Sequence, residues 1–473
     1  MKVQEPIGAL SSTHPRDIPA TETIVAEATP PGRGAIKVIR VSGPSSRELV
    51  NGCVSSSTGK KWEPRHSFLA YFLGEDQHPV DQVLVTLFVA PASYTGEDLV
   101  EISCHGSPAI AVQIMEVLLG AGGRLAEPGE FTLRAFLNGK LDLAQAEAVR
   151  DLVHSQTSYQ ARIARDQLEG RLSKIIRPLK EKLVRVISHM ETGLEFVEDP
   201  VEPDDRKILI RDLKKVDIKI NDLEKSFRVG RLVKEGFVAS IVGRPNAGKS
   251  SVFNALLRKS RAIVTAIPGT TRDTIDGKID LDGIPVQLVD TAGIHEAASS
   301  VERLGVKRSL EYARSSDLNL FVVDRSREFS PDDERIWSEV RHAPFLLVVN
   351  KVDLSPILQI PEEIEATAQG LTEISALKGV GLSGLRKVIL DAVVPDSDWD
   401  RDRVVVTEMR HKECLQRARK RLRRGIEGYD RGLSEEFPLY DLRGALLELD
   451  KITGDTSVED ILGKIFGSFC IGK

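Results

Sequence analysis

The chain has 473 residues, 41% of them hydrophobic and 29% charged, which excludes wholesale disorder, a collagen-like repeat and a small disulfide-stapled scaffold. At about 100–200 residues per domain this length implies about three domains. Lys plus Arg total 65 and Asp plus Glu total 70, a net charge of -5, so the chain is no basic nucleic-acid coat: RNA contact must be local, and a phosphate ligand needs a specific site.

In chain order, residues 1–22 read as a polar tail with no charged-then-apolar leader, and no apolar run elsewhere is long enough to span a bilayer. Cys53, Cys104, Cys414 and Cys470 form no CxxC pair, which points to free thiols in a reducing cytosol and a cytoplasmic protein without a membrane. Residues 23–140 are strand-rich (IVAEAT, AIKVIRVSG, VDQVLVTLFVAP, DLVEISCHG) with one helix at Ala109–Leu119, an α+β domain. Residues 141–234 are helical. Leu168, Leu172, Ile175, Leu179, Leu183 and Val186 recur at helical spacing, and Pro178 is expected to kink or divide that helix. After the acidic connection Val197 to Asp205, in which Asp204 or Asp205 is placed to cap, Leu209, Leu213, Val216, Ile220, Leu223 and Phe227 form a heptad-like seam.

Residues 235–395 alternate apolar strands with helices, the pattern of a parallel sheet covered on both faces. Residues 396–473 return to helix, at Arg410 to Ile426 and Leu439 to Ile452, so an α/β domain is inserted into a helical one. On the first of these helices Leu415, Ala418, Leu422 and Ile426 share a face. Arg417, Lys420, Arg421 and Arg424 point away, either as a solvated surface or, with Lys214, Lys215 and Lys219, as the best local site for RNA phosphates.

GRPNAGKS, Gly243 to Ser250, matches GxxxxGK[ST] between an apolar strand and a helix. The glycines turn amide groups toward phosphates, Lys249 reaches the β and γ phosphates, and the Ser250 hydroxyl suits Mg2+; Asn246, Ala247, Gly248 and Ser251 complete the loop. Asp290, Thr291, Ala292 and Gly293 then close an apolar strand, placing a carboxylate near Mg2+ and an amide near the γ phosphate. Asn350, Lys351 and Asp353 form NKxD, in which one carboxylate accepts two hydrogen bonds from guanine that adenine cannot donate; Ser375 and Ala376 back the base. That order specifies a P-loop GTPase. Thr271, beside Thr270, is the threonine expected to close over the metal. Ile294 stands where a Ras-like switch carries its water-orienting Gln, which leaves Glu296 and Glu302 as alternatives. Asn246 either holds a monovalent cation or stabilises the loop.

GRPNAGKSS, DTAG and NKVD, together with ATPPGRGAIKVIRVSG, YTGED, GEFTLRAFLNGKLDLAQAEAVRDLV and the terminal CIGK, closely resemble the MnmE (TrmE) family of tRNA modification GTPases from about Thr23 to Lys473. The resemblance implies a multidomain α/β chain: an N-terminal α+β folate-binding domain, an α-helical domain and an inserted P-loop (Ras-like) GTPase domain. It further implies GTP hydrolysis with Mg2+ and K+, and homodimerisation through the N-terminal domain. It also implies a heterotetramer with the FAD-containing partner MnmG (GidA), which with a tetrahydrofolate derivative (5,10-methylene or 5-formyl) builds carboxymethylaminomethyl groups on wobble uridine of tRNA. By position, Asn246, Thr265, Ile267 and Thr270 match the K+ site and Ser250 and Thr271 the Mg2+ ligands, while Glu302 matches the water-orienting glutamate. Arg40, Glu101, Lys140 and Lys473 match folate contacts. Cys470, by its residue type a buried thiol, matches the signature cysteine, a possible catalytic group. His295 departs from the arginine common at that position. The competing reading is an Era-like regulatory GTPase of ribosome assembly, for which a folate-type domain and CIGK have no use.

Overall fold

The computed structural model describes residues 22–56, 62–195, 203–259, 261–262, 276–290, 313–394, 403–456 and 459–473. The chain divides into two compact units: residues 1–150, 168–173 and 447–473, and residues 151–167 and 174–446.

The first unit is built on seven strands: β1 (Ile24–Glu27), β2 (Ile36–Ser42), β3 (Val54–Ser55), β4 (Ser67–Leu73), β5 (Pro79–Phe88), β6 (Leu99–His105) and β7 (Arg124–Leu125). They lie in the order β3-β4-β5-β6-β2-β1-β7, antiparallel except for the β1–β7 pair. Period-two patterning explains the sheet: Val83, Val85 and Leu87 of β5 are buried while Leu84 between them is exposed. Helix Pro108–Gly120 stands where the periodicity predicts it and packs Ala111, Ile114 and Leu118 on the buried face. Helix Ser46–Cys53 was not foreseen; at eight residues it is too short for a readable apolar repeat, yet Leu49, Val50 and Cys53 join the same core. A second core draws on both ends of the chain: Leu133, Leu143 and Val149 pack with Leu462, Ile465, Phe466 and Phe469.

The second unit carries a seven-stranded sheet: β8 (Phe237–Val242), β9 (Arg261–Ala262), β10 (Asp276–Leu281), β11 (Ile284–Asp290), β12 (Leu318–Asp324), β13 (Phe345–Asn350) and β14 (Leu371–Glu373), in the order β14-β13-β12-β8-β11-β10-β9. β14, β13, β12, β8 and β11 are mutually parallel. β12 and β13 are buried at every position, as a sheet covered on both faces requires.

The heptad seam lies on a single 33-residue helix, Pro203–Glu235, with Leu213, Val216, Ile220, Leu223 and Phe227 buried; the capping Asp204 and Asp205 side chains lie outside the described residues. Beside it runs helix Met409–Asp430, burying Leu415, Ala418, Leu422 and Ile426 as its periodicity predicts. Pro178 does not divide its helix, which runs unbroken over Arg171–Glu195. The proline sits on the exposed side, while Ile176, Leu179, Leu183, Val186 and Met190 stay buried, so apolar burial offsets the lost hydrogen bond. The break falls earlier, where Gly170 turns with φ 77 after helix Ser158–Leu168.

Candidate functional site

Four neighbouring parallel strands end on one edge, and each presents a polar group there: Gly243 after β8, Asp290 on β11, Asp324 on β12 and Asn350 on β13. Carboxyl ends of parallel strands form a crevice suited to ligands. The loop after β8 needs left-handed backbone, with φ 152 at Gly243, 63 at Asn246 and 98 at Gly248. Asn tolerates that region better than other side chains, which gives Asn246 a conformational reason to be there. A Cβ on Gly243 would overlap the Val322 carbonyl, and one on Gly248 would overlap Asn350 Nδ2.

The backbone curls around one cation. Lys249 Nζ donates to the carbonyls of Gly243 (2.8 Å) and Arg244 (3.0 Å). Burial lowers its pKa, partly opposed by the negative charge of Asp290, which is itself buried. A half-desolvated ammonium in a ring of backbone, at the start of helix Lys249–Lys259, fits a polyphosphate that restores its lost solvation. Ser250 and Ser251 are exposed at the same helix start, Ala247 is buried beneath the loop, and Asn246 faces solvent.

The loop is tied to the segments proposed to read the base. Asn350 Nδ2 donates to the Ala247 carbonyl (3.0 Å), while its Oδ1 accepts from the Ala376 amide (3.1 Å). Lys351, held at φ 66, reaches the Asn246 carbonyl (2.8 Å) and Asp324 Oδ2 (2.6 Å). Asp324 was missed in the sequence, where LNLFVVD reads only as an apolar strand; a carboxylate ending such a strand was the available signal. Burial would raise its pKa, but hydrogen bonds from Lys351 and Ser326 win and lower it. Asp353 is exposed with its pKa lowered, chiefly by a hydrogen bond from Ser375, whose Oγ also accepts from the Lys378 amide. An ionised, fixed carboxylate beside open space is what a guanine-reading acceptor requires. Thr265, Ile267, Thr270, Thr271, Thr291, Ala292, Gly293, Ile294, His295, Glu296 and Glu302 lie outside the described residues.

A second polar cluster lies in the first unit. Arg40 on β2 and Glu101 on β6 are register partners joined at 2.8 Å, and the Arg40 guanidinium lies 5.7 Å from the Tyr94 ring centroid. The C-terminal segment seats here: Gly472 has φ 91, and a Cβ on it would overlap the Glu27 carbonyl at the end of β1. Burial and then the charge of Arg40 lower the Lys473 pKa, partly opposed by Cys470, so these groups share one neighbourhood. Lys140 is not in that contact set. Its Nζ donates to the Pro91 carbonyl (3.0 Å), and its stem packs under Gly96 in the loop that carries Tyr94. Cys470 is exposed, unlike Cys53, Cys104 and Cys414, contrary to the buried thiol that residue type suggests. Two neighbouring cations with a carboxylate and an aromatic ring fit an anionic, ring-bearing cofactor such as a folate.

Next to it is a buried ion network. Glu130 Oε1 accepts from Arg124 Nη2 (2.6 Å) and Arg134 Nη2 (2.9 Å), and Arg134 Nη1 donates to Glu97 Oε2 (3.0 Å). Among the described residues no helix is long and apolar enough to cross a membrane, and no His, Cys, Asp and Glu cluster could hold a metal ion by itself.

Comparison with known proteins extends over nearly all of this. The model of the GTP-binding protein TrmE N-terminus matches residues 23–140, and that of the MnmE helical domain matches residues 143–470. The tRNA modification GTPase MnmE of Aquifex aeolicus is 42% identical over 454 residues, covering 96% of this chain and 100% of the relative. Those of Heliobacterium modesticaldum and Koribacter versatilis are each 42% identical, over 464 and 459 residues, again covering 96% of this chain and 99% of each relative.

Proposed function

We propose that this chain, which belongs to the MnmE family of tRNA modification GTPases, couples GTP hydrolysis to formation of carboxymethylaminomethyl groups on wobble uridine, with a tetrahydrofolate derivative as one-carbon donor. The observation that carries the reading beyond a switch is the Arg40–Glu101 pair with Lys473 seated beside it. An Era-like assembly GTPase needs no such site. Domain limits at 23–140, 141–234, 235–395 and 396–473 accompany this reading.

In the GTP site Lys249 holds the β and γ phosphates, Asp353 accepts from guanine, and Asn350 and Lys351 keep the base-reading and phosphate loops in register. Ser250 and Thr271, with Asp290, would hold Mg2+, which would supply neutralisation of phosphate charge. Asn246, Thr265, Ile267 and Thr270 would hold K+ in the place of an arginine finger. Glu302 orients the attacking water. Arg40, Glu101, Lys140 and Lys473 bind the folate, and Cys470, exposed beside Lys473, is available to the modification chemistry. FAD belongs to the partner MnmG. A homodimer through the first unit is supported by Leu69 and Leu84, which pair across β4 and β5 and are 50% and 46% exposed.

The test of function is to delete the gene and analyse wobble nucleosides by mass spectrometry. Loss of the carboxymethylaminomethyl nucleosides is expected; their persistence overturns the reading. Glu302→Ala is expected to keep GTP affinity within about threefold while kcat falls at least about 100-fold, the scale of one group acting only in the transition state. Unchanged turnover returns the water-orienting role to Glu296 or to a partner. The GTPase rate in K+ is expected to exceed that in Na+ at least about tenfold, and equal rates remove the cation role from Asn246.

A further inference from the structure

The run of cations on helix Met409–Asp430 separates into two sets. Arg419 and Arg423 face the neighbouring long helix, where Asp217 and Glu224 neutralise them at 3.0–3.2 Å. Arg417, Lys420, Arg421 and Arg424 fall within about 100° of arc on the other side, at 3.6 residues per turn. Of these, Arg417 is engaged by Glu413 (3.4 Å), while Lys420 and Arg424 make no ion pair among the described residues. The antiparallel helix Glu436–Thr453 is drawn close by two glycines. A Cβ on Gly425 would crowd Leu442, and one on Gly444 would overlap the Arg421 guanidinium, which therefore lies flat on the helix backbone. There Arg421 sits 6.0 Å from the Tyr440 ring centroid. Tyr440 and Phe437, about one turn apart, are 71% and 66% exposed, a costly display of aromatic surface.

We propose that this face is an RNA-binding site: an unstacked base lies on Tyr440, with Phe437 beside it, and the flanking phosphates lie on Lys420, Arg421 and Arg424. The proposal rests on the tRNA reading above. Stacking on aromatic and guanidinium planes is how proteins take single-stranded RNA, and adjacent unpaired cations supply the phosphate contacts. Among the described residues Lys420, Arg421 and Arg424 outnumber the exposed carboxylate beside Phe437, that of Glu436, a balance that suits a polyanion better than a protein.

The test is fluorescence anisotropy of the full chain with an unmodified tRNA transcript containing a wobble uridine, across a salt series. Tyr440→Ala is expected to raise Kd about tenfold, and Tyr440→Phe to retain wild-type affinity, because the ring and not the hydroxyl does the stacking. Lys420→Gln with Arg424→Gln is expected to weaken binding and to reduce the log–log salt slope by about one per cation. Basal GTPase rates unchanged in all variants certify the fold. Wild-type affinity and slope in these variants overturn the proposal, as does a wild-type chain that fails to bind the transcript. Variants that bind tRNA normally but lose MnmG also overturn it, in favour of a protein surface. If the gene deletion abolishes the wobble nucleoside while these variants bind normally, only this surface is wrong; if the nucleoside survives the deletion, the functional reading fails first.

Discussion

Gly248→Ala is expected to weaken GTP and GDP binding at least about 100-fold, or about 2.7 kcal/mol. Two independent effects add. The residue holds φ 98, where a side chain is strained, and the new Cβ would overlap Asn350 Nδ2. Asn350 cannot yield without loss, because its Nδ2 holds the Ala247 carbonyl and its Oδ1 the Ala376 amide. One methyl group therefore separates the phosphate loop from the base-reading loop. Titration with a fluorescent GDP analogue measures it, and affinity within threefold of wild type would refute the linkage. Because both substitutions cut the same tie, adding Asn350→Ala to Gly248→Ala should cost far less than Asn350→Ala costs alone.

The largest expected loss of stability is in the first unit, at Glu130. Its side chain is buried between Arg124 and Arg134, so Glu130→Gln removes their shared counter-charge and leaves Arg124 paired with Glu22 and Arg134 with Glu97, at about 2–3 kcal/mol. Burial alone would raise the Glu130 pKa, but hydrogen bonds from Arg124 and the Glu127 amide, with the charge of Arg134, lower it overall. A carboxyl depressed in the folded state stabilises above its unfolded value of about 4.3, and that contribution is lost as pH falls through the folded value. Protection factors of the Ile24–Glu27 and Leu99–His105 amides, corrected for the intrinsic slowing of exchange in acid, should thus fall as wild type is acidified below about pH 4.3. In Glu130→Gln those protection factors should be low already at pH 7 and less dependent on pH. Equal protection of wild type and variant at pH 7 would contradict this account.

The candidate nucleotide site was legible because its parts are local. Each described motif ends one of the parallel strands β8, β11, β13 and β14, so a strand-end polar residue could be found strand by strand. Asp324 escaped because its partner Lys351 is reached across neighbouring strand ends, a relation no window of sequence displays. The same holds for Arg40 and Glu101, which only sheet register brings opposite each other; resemblance, not periodicity, singled them out. Pro178 misled because the local rule counts a lost hydrogen bond and ignores the buried seam that continues past it. Helix Ser46–Cys53 is stabilised by packing alone, which short windows do not encode.

The core shared by Val149 and Leu462 has a consequence for synthesis. The two residues are 462 − 149 = 313 positions apart. At about 5–20 residues per second, the ribosome takes on the order of 15–60 s to deliver the second half of that core. Throughout that interval Leu133, Leu143 and Val149 lack their partners, while the sheet of β8 to β14 receives its last residue at Glu373, 462 − 373 = 89 positions before Leu462, and can close first. This second core of the first unit then forms after the sheet of β8 to β14, although Leu133, Leu143 and Val149 precede that sheet in the chain, and its half-built apolar surface is where a chaperone would bind the nascent chain.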